Sequence, residues 1–118
     1  MTITELLKES HKTAISKGWW DLPIKKGEVQ DRNFGELLAL CHSEISEALE
    51  EYRKGKKLDE IYYDKETGKP EGIAVEFADL FIRIADICEA YGIPLEEALE
   101  YKMEYNRGRP YRHGGKIA

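Results

Sequence analysis

Nowhere in this chain does an apolar run approach the roughly 20 residues that a membrane-spanning helix needs. No membrane partner is expected. The start, Met1-Thr2-Ile3-Thr4-Glu5, has neither the basic end nor the apolar stretch of a signal peptide, so the expected compartment is the cytoplasm. Cysteine is scarce, and the two present, Cys41 and Cys88, fall among apolar residues at helical spacing, where the expected role is that of a small buried hydrophobe. A disulfide between them is the alternative, and a reducing compartment disfavours it. Proline is sparse too, and all four lie where helices would stop or start. An excess of positive charge is also missing: a net charge of −5 argues against a general nucleic-acid binder held by phosphate neutralisation.

What charge there is lies unevenly. From Lys102 to Ala118 five Lys or Arg stand against one acid, Glu104, so an acidic body ends in a basic tail, and the two could share one polyphosphate. A length of 118 residues suits a single domain spanning residues 1–118, and 42% hydrophobic with 35% charged residues fits a helix-rich, soluble fold.

Apolar spacing predicts four helices. The first runs from about Thr4 to Lys17, with Ile3, Leu6, Leu7, Ala14 and Ile15 on its apolar side and Gly18 at its end. Residues 19–32 read as a loop holding Pro23, Gly27 and two adjacent tryptophans that cannot point the same way. Asn33 with Glu36 three residues on resembles an N-cap, opening a second helix from Phe34 to Arg53 that Gly55 stops. The segment 54–72 turns polar, a mobile excursion or a small hairpin. A third helix spans Ile73 to Tyr91 before Gly92, Pro94 suits the first turn of a fourth that ends near Asn106, and 107–118 is a Gly- and Arg-rich tail.

Two acidic motifs carry the chemistry. On an ideal helix Phe34, Leu37, Cys41, Ile45, Leu49 and Tyr52 form a wedge beside Glu44, with Glu47 and Glu51 just across its border. Counting from Glu76, the wedge holds Ile73, Phe77, Leu80, Ile84, Ile87, Cys88 and Tyr91, with Asp79, Arg83 and Asp86 across the border. If the two stripes pack together, Glu44, Glu47, Glu76 and Asp79 meet at the seam, where crowded carboxylates must be protonated or neutralised by a cation. All-oxygen ligands favour a hard ion, Mg²⁺ or Mn²⁺. The plain alternative is a row of solvated side chains. Arg83 is either a salt-bridge partner of the acids or a phosphate contact. Val75 and Ile82, apolar but away from the main stripe, call for cover from a second copy or from the 54–72 segment.

The pattern Glu44-x-x-Glu47, residues 48–75, Glu76-x-x-Asp79, together with the start Asn33-Phe34-Gly35-Glu36-Leu37 and the stretch from Lys102 to Lys116, resembles the MazG-like, all-α nucleoside triphosphate pyrophosphohydrolases, relatives of dimeric dUTPases and phosphoribosyl-ATP pyrophosphohydrolases. The resemblance implies a four-helix-type bundle completed by oligomerisation, as a homodimer or homotetramer. It also implies Mg²⁺-dependent hydrolysis of an NTP or dNTP to the monophosphate and pyrophosphate. In that scheme Glu44, Glu47, Glu76 and Asp79 bind the metal, and Glu47 orients or deprotonates the water. Lys102 and Asn106, one turn apart on the fourth helix, meet phosphate or sugar, while Arg109 and Arg112 grip the polyphosphate. Trp20 is the candidate wall for the base, with a place in the core as the alternative. His11, in line with Ile3, Leu7 and Ala14, reads as a core or interface residue.

Two other classes compete. A redox di-metal bundle of the ferritin type wants E-x-x-H motifs, and no His follows a Glu by three residues here. A non-catalytic helical interaction module would leave its acids solvated and without metal affinity.

Overall fold

The computed structural model of the chain describes residues 1–20 and 33–110. Most of them are helical: α1 is Ile3–Ser16, α2 Phe34–Arg53, α3 Ile73–Tyr91 and α4 Leu95–Arg107, with two short strands, β1 Tyr62–Tyr63 and β2 Pro70–Glu71, between α2 and α3. No helix among these residues is long and apolar enough to cross a membrane.

Local chemistry sets the helix ends. Thr2 caps α1 by accepting the Glu5 amide at 3.1 Å, one residue ahead of the expected start. Asn33 caps α2 as expected, its Oδ1 accepting from the Glu36 amide at 3.1 Å. Gly92 closes α3 in the left-handed region at φ 67°, a conformation that costs glycine little. Pro94 precedes the first turn of α4 rather than standing inside it.

α3 is the central element, with α1 and α2 both packed along it. Trp20, Leu37, Ile87 and Ala90 form the buried cluster, flanked by Ala14, Ile15, Leu40, Cys41 and Tyr91. Each large apolar side chain buried there contributes on the order of 1.5–3 kcal/mol. The tryptophan pair splits as its adjacency requires: Trp20 is 3% exposed and Trp19 66%. Both cysteines are free thiols, and burial pushes both pKa values up, as suits packing residues.

The buried faces differ from the predicted stripes. α2 buries Leu37, Glu44, Ala48 and Glu51, and leaves Ile45, Leu49 and Tyr52 in the open. α3 buries Ile73, Glu76, Ala85, Ile87, Cys88 and Ala90, and leaves Phe77 and Phe81 exposed. Both helices are therefore rolled toward their acids. Small residues take part in the buried faces, Ala48 on α2 and Ala85 on α3, while several larger side chains fall outside.

The segment expected to be mobile is a fastened hairpin. Tyr62 faces Glu71 and Tyr63 faces Pro70 across its strands, and the Asp64 carboxylate accepts the Glu66 and Thr67 amides at 2.8 and 2.9 Å. The Tyr62 hydroxyl donates to the buried Glu51 carboxylate at 2.7 Å, tying the hairpin to the last turns of α2. Its other end is set by Gly72 at φ 133°, where a Cβ would collide with the Glu60 carbonyl oxygen. By contrast α4 buries no residue and meets the rest chiefly at α1, where the Thr4 hydroxyl donates to Glu96 at 3.1 Å.

Candidate metal centre

Two of the acids expected to meet at the seam are buried, which sets aside the alternative of a fully solvated row. Glu44, in the middle of α2, is 5% exposed, and Glu76, in the first turn of α3, is 6% exposed. Glu47 lies one turn beyond Glu44 and stays exposed. Each of these three offers a carboxylate oxygen, all within 4.8 Å of one another. Asp79, half-buried one turn past Glu76, lies outside this trio and lines a neighbouring cavity with Glu44 and Glu47.

Crowding shows in the proton affinities. Burial first, then the Glu47 and Glu44 carboxyls and Asp79, pushes the Glu76 carboxyl up to about 8. Asp79 is also raised, by burial and then by Glu44, with the cations Lys69 and Arg83 pulling the other way. Arg83 answers its two-way expectation with a salt bridge: its Nε donates to Glu44 Oε1 at 2.6 Å. One cation does not complete the site. Glu44 Oε2 and Glu76 Oε2 are buried without a hydrogen-bond partner among the described residues, a costly state for a carboxylate. Orphaned oxygens from two helices, with a third carboxylate beside them, fit a hard divalent cation such as Mg²⁺ or Mn²⁺.

The cavity beside the trio has a volume of about 730 Å³ and runs between α1, α2 and α3. Leu37, Leu40, Ile82 and Ile87 give it an apolar wall, while Ser10, Thr13, Lys69, Arg83 and Asp86 give it polar points. Ile82 is thus a cavity residue, and Val75 is half-buried. Glu51 and Asp86, the other acids at the borders of the two stripes, do not join the trio. Glu51 is taken by Tyr62, while Asp86 accepts from Trp20 Nε1 at 2.9 and 3.0 Å and pairs with His11 Nδ1 at 2.7 Å.

The proposed substrate contacts are dispersed. Trp20 stands in the core, edge-on to His11 and Tyr91, and it is Trp19 that lines the cavity. Lys102, Asn106 and Arg109 are at the far end of α4 and do not line the cavity; Lys102 and Arg109 lie over the Tyr105 ring. Arg112 falls outside the described residues. Two cavity residues, Lys69 and Trp19, escaped the sequence reading. A lysine in a turn has no periodicity to mark it, and the Trp pair said only that its members diverge.

Compared with family models, with curated proteins and with solved structures, the chain matches none.

Proposed function

We propose that this chain is a Mg²⁺-dependent nucleoside triphosphate pyrophosphohydrolase of the MazG-like kind, converting an NTP or dNTP to the monophosphate and pyrophosphate in nucleotide-pool house-cleaning. The observation that carries the reading is the trio Glu44, Glu47 and Glu76, two of its members buried with an orphaned carboxylate oxygen each, and Glu44 and Glu47 also lining a cavity large enough for a nucleotide. The cavity's chemistry divides as such a substrate does, apolar on one side and charged on the other. A redox di-metal centre is disfavoured, since the trio contains no histidine.

In this reading Glu44, Glu47 and Glu76, with Asp79 at the rim, hold the metal. Bound Mg²⁺ supplies positive charge to phosphoryl oxygens and acidifies water. Glu47, the exposed member, accepts the proton of the attacking water as its oxygen bonds to phosphorus and the α–β anhydride bond breaks, releasing pyrophosphate. Glu44, fixed by Arg83, keeps one oxygen aimed at the site while the Arg83 Nη groups stay available to phosphate. Leu37, Leu40, Ile82 and Ile87 form the surface for the base, with Trp19 at the edge.

The substrate site needs a second copy of the chain. Lys102 and Asn106 on α4, and Arg109 just after it, do not line the cavity of their own chain, and in this reading another protomer supplies them. The exposed apolar residues Ile45, Leu49 and Tyr52 of α2, and Phe77 and Phe81 of α3, supply the surface for a homodimer or a homotetramer built from it. Such an assembly completes the bundle.

The test is a panel of canonical and modified NTPs and dNTPs with and without Mg²⁺, resolving monophosphate plus pyrophosphate from diphosphate plus phosphate. Mg²⁺-dependent monophosphate and pyrophosphate are expected. No turnover of any nucleotide with Mg²⁺ or Mn²⁺ would leave a helical interaction module as the better account.

A further inference from the structure

Lys69 is a cation of the hairpin that stands close enough to Asp79 to favour its ionised form but makes no ion pair with the acids. It lines the same cavity as Glu44, Glu47 and Asp79, yet among the described residues it has no carboxylate within salt-bridge distance. Arg83 behaves differently, donating directly to Glu44. A cation beside several carboxylates that pairs with none of them keeps its hydrogen-bonding capacity for a visiting anion.

Its backbone is held from several sides. The Lys69 carbonyl accepts the Asp64 amide at 2.9 Å and its own amide donates to Thr67 Oγ1 at 3.2 Å, across a tight turn that Gly68 allows at φ 74°. Next come Pro70 and Glu71 of β2, then Gly72, wedged against the Glu60 carbonyl, and then α3 itself. The opposite strand is tied to α2 through Tyr62 and Glu51. So the stem of Lys69 is fixed relative to both acid-bearing helices, and only its side chain is free to swing.

We infer that the β1–β2 hairpin is a built arm of the substrate site, and that Lys69 contacts the polyphosphate of the nucleotide at the mouth of the cavity. The inference rests on the proposed triphosphate reading for the identity of its ligand, and it names a contact that α4 and the basic tail do not supply. The geometry divides the labour: carboxylates take the cation, and Lys69 takes phosphate oxygens on the outer side of it. A lysine ammonium serves as a point charge for phosphate, with three donors that need no single orientation.

The test uses inorganic tripolyphosphate as the probe, so that it does not depend on turnover. Binding of tripolyphosphate in Mg²⁺, and of Mg²⁺ alone, is measured by calorimetry on the full chain, on Lys69→Met and on Lys69→Arg, with circular dichroism confirming equal helix content. Lys69→Met should weaken tripolyphosphate binding about tenfold or more, the worth of a charge-assisted hydrogen bond, and Lys69→Arg should recover most of it. Mg²⁺ alone should bind Lys69→Met at least as tightly as the parent, because a repelling cation has gone. That opposition of sign separates an anion contact from a merely structural role, which would weaken both. Tripolyphosphate binding within twofold of the parent in Lys69→Met, or no binding by the parent itself, overturns the inference. A chain that binds tripolyphosphate through Lys69 but turns over no nucleotide overturns the hydrolase reading instead.

Discussion

Glu76 carries a proton at neutral pH for a reason that metal binding removes. Its carboxyl, pushed up to about 8 by burial and by its acidic neighbours, is protonated in the native chain over a range where an ordinary carboxyl near 4.5 has ionised. The native state then binds more protons than the unfolded one, so the stability it supplies is complete below 4.5 and is lost as pH rises through about 8. In chelator, the melting temperature should fall between pH 6 and pH 9, more than in Glu76→Gln, which cannot ionise. Added Mg²⁺ should reverse the trend, since its affinity grows as Glu76 gives up its proton. Thermal melts across pH with and without Mg²⁺ check both statements. Under the proposed hydrolase reading, Glu47→Gln and Asp79→Asn should each lower turnover by about 10²-fold or more while far-UV circular dichroism stays at the parent level. Parental rates in either variant would sink the metal-site account.

At the scale of elements, the hairpin and the roll of the helices decide where those residues stand. Tyr62→Phe removes the hydroxyl that donates to buried Glu51 and should lower the midpoint of urea denaturation, with hydrogen exchange accelerating first in residues 60–71. The helices themselves were legible from sequence, because apolar spacing, the Asn33 cap and the glycines at 18, 55 and 92 are local signals. Glu44, Glu47 and Glu76 were legible as a group for the same reason, a repeated offset on two amphipathic helices. Their meeting at a seam was legible too, but not which apolar residues would be left outside it. A helical wheel ranks faces by hydrophobicity, whereas α2 buries Glu44, Ala48 and Glu51 and α3 buries Glu76, and Ile45, Leu49 and Phe77 are left exposed. The bond from Tyr62 to Glu51 joins residues on separate elements, and no periodicity in the sequence displays such a pair.

On the scale of the whole molecule, the proposed metal and substrate residues stand apart. Among the described residues the carboxylates lie between α2 and α3, Lys102 and Asn106 lie on an α4 that barely touches the body, and no large side chain is completely buried. A chain that exposes Tyr52 at 62% and Phe81 at 61% has apolar area that association would cover. Both facts have one economical explanation, that α4 of each copy reaches the carboxylates of another. Lys102→Ala should then chiefly raise KM, and Phe81→Lys should yield monomers by light scattering and lose turnover together with association. The sharper check is complementation. Glu47→Gln and Lys102→Ala are each made homogeneous, then dissociated, mixed in equal amounts and reassociated at substrate well below KM. In a mixed dimer one site pairs the intact carboxylates of one chain with the intact Lys102 of the other, and the second site carries both lesions. Random mixing makes about half the dimers mixed, each with one working site of two, so activity should rise to about a quarter of the parent's. If each α4 served its own chain, every site would keep one lesion and mixing would restore nothing.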